Sequence, residues 1–315
     1  MGPSSRENTP MDPRNLSRKP LIPWLQAERP IDWKRQFGRK AILEVEIGFG
    51  YGEFLVTLAQ THPEWNFVGL EVKWASIQKT LRNIAHAKVC NVRLIQAEAR
   101  VAFDRLFLPQ SLHRIYALFP DPWPKKRHVK HRLFSHVFLK LLNSRLICGG
   151  EVRIITDDEP YSNWILEQAS GTGFQAFGEL IPPRFGTKYE RKWHESGQKE
   201  FYELQLLKQE HVEIPLKEDI PLKTYHIEHF DPDRFQPSNE RGKNVIEFKE
   251  FLYDIKHRKG MVQVVVAEAN LTQNFWIEIG QDRKGWYIRV GKGCGVVPTT
   301  GVQRALDLVR DAAHQ

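Results

Sequence analysis

Cysteine is scarce in this chain and never suitably spaced: the 315 residues hold three, Cys90, Cys148 and Cys294, with no CxxC pair. That excludes a disulfide framework and a zinc ribbon and predicts a reducing compartment, the cytoplasm. Missing too is any apolar run near the ~18 residues that a membrane helix needs. Residues 1–17 are polar and proline-rich, so neither a membrane span nor a secretory leader is expected. There is no internal repeat, and no low-complexity tract beyond the first residues. Hydrophobic residues make up 41% and charged ones 27%, which excludes global disorder.

What is present in excess is positive charge, +8 at pH 7 with an isoelectric point near 9.3. Lysines and arginines that meet phosphates release condensed counterions, so the excess suits a polyanion, although charge alone equally describes a solvated surface. The length predicts a main domain with a smaller one. Residues 1–38 read as a flexible arm. From 41 onward, strands at 41–47, 66–72, 92–96, 114–119 and 151–156 alternate with helices at 52–60, 74–87, 99–107, 133–146 and 161–169. This rhythm predicts an α/β domain over 39–208, with a mostly parallel sheet and ligands at the carboxyl ends of its strands. Residues 209–244 carry charge and four prolines and read as a linker. Residues 245–315 read as a smaller α+β domain, with strands at 262–267, 275–279 and 286–290 and a helix at 301–312. Aromatic and basic residues interleave there (Phe275, Trp276, Lys284, Trp286, Tyr287, Arg289, Lys292). They suit either an RNA platform or, as is commoner for strand aromatics, a core.

The first strand runs into Glu46-Ile47-Gly48-Phe49-Gly50-Tyr51-Gly52. A dinucleotide fingerprint spaces its glycines GxGxxG and receives a pyrophosphate. Here the third glycine comes one place early and an acid precedes the first, which suits a cofactor without phosphate and with a cationic amino acid end, S-adenosyl-L-methionine. Gly48 and Gly50 let the backbone approach it, and Glu46 offers a carboxylate. Glu71, ending the second strand, stands where an acid accepts from ribose hydroxyls. Glu98, after the third, either faces the adenine or caps a helix.

After the fourth strand comes Phe119-Pro120-Asp121-Pro122-Trp123-Pro124, then five Lys or Arg between 125 and 132. The prolines fix Asp121 and Trp123 at the cofactor edge, and the basic run at that rim is expected to bind phosphate. His128, His131 and His136 lack partners at ligand spacing, so no metal site is expected. Asp157 follows the fifth strand and could be a helix cap.

The segments EIGFGYG, GLEV, FPDPWPKKRHVKHR, TDDEPY and GTKYERK, in this order over about 41–207, closely resemble the TrmB-type bacterial tRNA (guanine-N7)-methyltransferases. The resemblance implies a Rossmann-like class I methyltransferase fold that methylates N7 of a guanosine in the tRNA variable loop. By motif, Glu46, Glu71, Glu98 and Asp121 would contact the cofactor, with Asp121 also catalytic. Lys125, Asp157, Thr187, Lys188, Tyr189 and Glu190 would bind substrate, and Arg127, His128, Lys130, His131 and Arg132 would touch RNA. His131 stands where the family commonly carries Arg. Guanine N7 holds a free lone pair, so attack on the methyl needs no general base. Asp121 would instead stabilise charge arriving on the purine, and either Asp157 or Glu190 would accept from the guanine N1 and N2 donors. A nicotinamide oxidoreductase is disfavoured by the glycine spacing. A noncatalytic RNA-binding module would not need acids at successive strand ends. Monomer and homodimer both remain open.

Overall fold

The computed structural model describes residues 17–187, 190–191, 195, 199–283 and 285–314. They form two compact units, one comprising Pro30–Leu216 with the residues up to Pro23, the other comprising Trp24–Arg29 with the chain from Lys217 onward. The first is the Rossmann-like α/β unit. Its strands β1 (Leu43–Ile47), β2 (Asn66–Glu71), β3 (Val92–Gln96), β4 (Leu112–Leu118), β5 (Leu146–Thr156), β6 (Phe174–Ile181) and β7 (Phe201–Lys208) lie in the order β3-β2-β1-β4-β5-β7-β6. The first five are parallel, and β7 runs antiparallel to both of its neighbours. Every residue of β1 and β2 is buried, as expected of central strands covered on both faces.

Helices α1 (Trp33–Phe37), α2 (Glu53–Thr61), α3 (Trp74–Ala87), α4 (Ala99–Arg105), α5 (His136–Arg145) and α6 (Glu159–Ala169) fill the connections. In α3, Ile77, Leu81 and Ile84 recur at helical spacing and pack with Leu55 and Val56 of α2 against Phe67 and Leu94 of the sheet, the amphipathic stripe that holds a short helix in place.

The structure differs from the sequence expectations in three places. Residues 20–37 are not a loose arm: Leu21 bridges to Leu94, Ile22 and Ile31 are buried, and Trp33 stacks on Phe107 at 5.1 Å. Secondly, the chain after β7 is anchored where a linker was expected. Arg145, fully buried at the end of α5, donates to Phe103 O at 2.8 Å and Ile214 O at 2.7 Å, and Asn143 pairs with the backbone of Glu210 and Val212. Thirdly, the basic run between the fourth strand and the helix expected from 133, a stretch that reads as a loop, is a 3-10 helix, Lys126–His131.

The second unit has one antiparallel sheet of β8 (Tyr225–Ile227), β9 (Glu240–Arg241), β10 (Asn244–Asp254), β11 (Lys259–Glu268), β12 (Leu271–Asp282) and β13 (Gly285–Val290), ordered β8-β13-β12-β11-β10-β9. It thus takes up residues that the linker expectation covered, with Phe230 and Phe235 in its core. Helix α7 (Thr300–Ala313) buries Val302, Ala305, Leu306 and Val309 in that core. Its first turn is capped by the Thr299 hydroxyl and the Glu268 carboxylate, which accept from the Val302 and Gly301 N–H groups. Phe275 and Trp286 belong to the core, with 2% and 7% exposure, so they are not an RNA platform. On the alternate face Tyr287, Arg289 and Lys259 converge on Glu278. Against the upward pull of burial, their hydrogen bonds hold its carboxyl down to about 2. Lys284 lies outside the described residues.

Candidate active site

Parallel strands deliver their carboxyl ends to one edge of a sheet, and the residues just past those ends meet there. β1 leads into Gly48, β2 ends at Glu71, β3 is followed by Ala97 and Glu98, and β4 by Phe119, Pro120 and Asp121. Together with Thr187, all of these line a cleft of about 650 Å³.

The glycine loop is built by backbone geometry. Gly48, Gly50 and Gly52 have φ of 70°, 54° and 71°, the left-handed region open to glycine at no steric cost. At Gly52 even space is lacking, since an added Cβ would lie 2.2 Å from Thr80 Cγ2. Glu71 clamps the loop. Its Oε2 accepts from Gly50 N–H at 3.1 Å, and its Oε1 accepts from Val72 and Lys73 N–H at 2.8 and 3.0 Å.

Glu46 is 3% exposed, and its Oε2 has no hydrogen-bond partner. Burial first, and the Glu71 carboxylate second, push its carboxyl up to about 8, with the Leu55 N–H opposing. A buried carboxyl with one unpartnered oxygen lining the cleft is suited to a cationic group such as an ammonium. Of the two sequence alternatives for Glu98, the helix cap is observed, with its Oε2 accepting from Val101 N–H at 3.1 Å at the start of α4, and the residue also lines the cleft. Burial raises its pKa against the Val101 and Arg100 contacts.

The turn 119–124 is tightly held. Phe119 and Trp123 have positive φ, 54° and 46°, which bulky side chains adopt only when the surroundings impose it. Phe119 N–H donates to Ile155 O at 2.7 Å. Asp121 is exposed at the cleft mouth, and the Trp123 ring is flanked by His131 and His128 at 5.2 and 5.7 Å. Lys125, Lys126, Arg127, Lys130 and His131 face solvent, and His128 partly so. Arg132 departs from the expected RNA-facing role. It is 7% exposed, and its Nε donates to Pro122 O at 2.8 Å.

On the fifth strand's loop the helix cap is Asp158, accepting from Tyr161 N–H at 2.7 Å, and not Asp157. Glu190 is 3% exposed, its oxygens taken by the N–H groups of Arg184, Phe185 and Gly186, while its own N–H donates to Thr187 Oγ1 at 3.2 Å. It is a loop lock. Lys188 and Tyr189 lie outside the described residues. Sequence inspection missed the ion pair of Arg191 with Glu53 at 2.5 Å, which ties the Thr187 segment to the start of α2. Arg191 sits inside the GTKYERK segment, but nothing local names its partner. Among the described residues no helix is long and apolar enough to cross a membrane, and no group of three His, Cys, Asp or Glu could hold a metal.

A family model described as a putative methyltransferase matches residues 40–203, about half of the chain. A tRNA (guanine-N(7)-)-methyltransferase of Chlorobium phaeobacteroides is 46% identical over 171 residues, covering 54% of this chain and 84% of the relative. Proteins of the same name reach further, that of Thermus thermophilus at 34% identity over 87% of this chain and 90% of its own, that of Aquifex aeolicus at 33% over 85% and 92%. The alignment with the Thermus protein spans 287 residues, longer than the whole first unit, so it takes in part of the second as well. With the cleft and its acids set out on this sheet, these matches place the chain in the TrmB-type tRNA (guanine-N7)-methyltransferase family.

Proposed function

We propose that the protein transfers the methyl group of S-adenosyl-L-methionine to N7 of a guanosine in the variable loop of tRNA, in the cytoplasm. One observation carries the proposal: a cleft with glycine-loop backbone, a buried Glu46 with one unpartnered oxygen, and Asp121 opens beside a basic 3-10 helix. Incubation with labelled cofactor and bulk tRNA, followed by nucleoside analysis, tests it. Label in 7-methylguanosine is the expected result, and label in another nucleoside or in none refutes it.

When bound, the cofactor supplies a methyl on a sulfonium, an electrophile that N7 attacks through its own lone pair. The protein's part is positioning and charge. Glu46 would take the ammonium, Glu71 the ribose with the acceptor capacity that the loop amides leave, and the Gly48–Gly50 backbone would permit close approach. Asp121, on the held turn at the mouth, would face the purine as positive charge moves onto it, where a positioned carboxylate stabilises charge better than water does. Since Glu190 is engaged by three amides, Asp157 is our reader of the guanine N1 and N2 donors, and Thr187 and Lys125 would border the nucleotide.

The basic 3-10 helix would grip phosphates. Arg127→Ala and Lys130→Ala are each expected to weaken tRNA binding and to reduce the slope of log affinity against log salt by roughly one unit. Wild-type affinity and slope in both variants would leave the run as solvated surface.

For the second unit, the RNA-facing surface would be the hairpin ends and not the strand aromatics. The β10–β11 and β12–β13 turns lie at one end of the sheet, joined by Arg258 Nη1 to Gln281 Oε1 at 3.2 Å, with Lys256, Arg258 and Arg283 exposed and Ile255 82% exposed. Joint replacement of these three cations by alanine in the full chain is expected to flatten the salt slope by about three units while turnover at saturating tRNA is kept. An unchanged slope would remove this end from the RNA interface.

A further inference from the structure

Among the five cations of the run 125–132, Arg132 alone is turned inward. It lies just past the 3-10 helix, which it closes by donating its N–H to Val129 O at 3.0 Å. Its guanidinium lies over two rings of α6, Tyr161 at 5.3 Å and Trp164 at 5.0 Å, which are themselves stacked at 5.8 Å. Its Nε reaches back ten residues to Pro122 O at 2.8 Å, and its own carbonyl accepts from Arg100 Nη2 at 2.7 Å. A planar guanidinium can stack and donate in its plane at once, which a lysine ammonium cannot do. The bonded carbonyl sits between Asp121 and Trp123, inside the turn whose flanking residues have positive φ. The ring pair sits on the helix capped by Asp158, directly after Asp157. One buried side chain therefore joins the turn carrying Asp121 to the helix whose entry carries Asp157. Arg100, which supports it, also lies 3.8 Å from Glu98 Oε1 in the cofactor cleft.

We infer that Arg132 is a positioning residue of the methyl transfer: by bonding Pro122 O while stacked on Tyr161 and Trp164, it fixes the Asp121 turn against the loop of Asp157. It touches neither cofactor nor RNA. The inference rests on Asp121 acting at the reacting centre. A turn released by a fraction of an ångström keeps its residues but loses the geometry on which proximity depends, so the loss falls on turnover and not on binding.

The test uses the full chain with Arg132→Gln, Arg132→Lys and, should the first fold poorly, Trp164→Leu, which removes one ring and leaves the arginine. With bulk tRNA, Arg132→Gln is expected to lower kcat by about ten- to a hundredfold. Cofactor Kd, tRNA Kd and the salt slope are expected to stay at wild-type values. Arg132→Lys should recover part of the loss, and Trp164→Leu should show a smaller loss, again in kcat alone. Weaker tRNA binding with a flattened salt slope would overturn the inference and return Arg132 to the phosphate contacts. A lowered Tm with kcat unchanged at a temperature where the variant is folded would overturn it in favour of mere scaffolding. Asp121→Ala run alongside separates the two levels: if that variant turns over normally, the premise has failed; if it is inactive while Arg132→Gln is fully active, only the inference has.

Discussion

Replacing Asp121 by alanine is expected to lower kcat for tRNA methylation by on the order of a hundredfold or more, the scale on which removal of one preorganised charge-stabilising group is felt. The residue stands on a turn held at the cleft by Pro120 and Pro122 and by the Phe119 N–H bond to Ile155 O, so the backbone that carries its carboxylate is fixed before substrate arrives. Nothing in the core rests on this exposed side chain, and the fold and tRNA affinity should be kept. Single-turnover rates with saturating tRNA, beside a direct tRNA-binding isotherm, provide the check. A wild-type rate would remove Asp121 from the mechanism. A parallel loss of tRNA affinity would make it a binding residue.

The second large effect concerns Glu46 and protons. In the unfolded chain its carboxyl titrates near 4.5, whereas burial and Glu71 raise it to about 8 in the folded protein. Between those values the folded chain alone holds the proton, so this group's contribution to stability is fully present below pH 4.5 and is lost as pH rises through 8. A cationic ligand group requires the ionised form. Cofactor affinity of the wild type should therefore rise by about tenfold per pH unit up to pH 8 and then flatten, with close to one proton released on binding at pH 7. Glu46→Gln should bind about ten- to a hundredfold more weakly at pH 8, without that proton release. Calorimetry in two buffers of different ionisation heat measures the proton directly. The difference between wild type and variant separates the carboxyl from the cofactor's own amine. Equal proton release in both would end this account.

The central strands were legible because LEVEI and NFVGLE are short buried runs broken by glycines and followed by amphipathic helices. The acids at the carboxyl ends of those strands, Glu46 and Glu71, stand out for the same reason. The antiparallel pair β6 and β7 went unread: in 174–181 the apolar residues before Ile181 are partly or fully exposed, and in 201–208 the buried positions include Glu203 and Lys208, so neither strand shows a clean apolar alternation. The segment after β7 read as a linker because its charges and prolines are local, while the groups that fasten it, Asn143 and Arg145, lie about 70 residues earlier. Arg132 shows the same limit at the site itself. Within a run of five cations, composition does not tell which one turns inward, and the rings receiving it are about 30 residues downstream. Glu190 fits its motif position, but the amides that occupy it are set by a loop conformation that the motif does not encode.

The second unit is discontinuous in sequence, since Trp24–Arg29 belongs with the chain from Lys217 onward. Arg29 bonds Asp219 at 2.5 Å, and a Cβ added at Gly295 would lie 3.0 Å from Leu25 Cβ. On the ribosome, the sheet of the first unit is complete once Lys208 has emerged, and domains generally fold as units in order of synthesis. The 24–29 segment must wait for partners made after the first unit, Asp219 among them, 190 residues beyond Arg29. Until then Trp24, which is buried in the folded protein, stays open to water or to a chaperone, so the second unit closes only when this early segment meets residues made after the first unit's sheet.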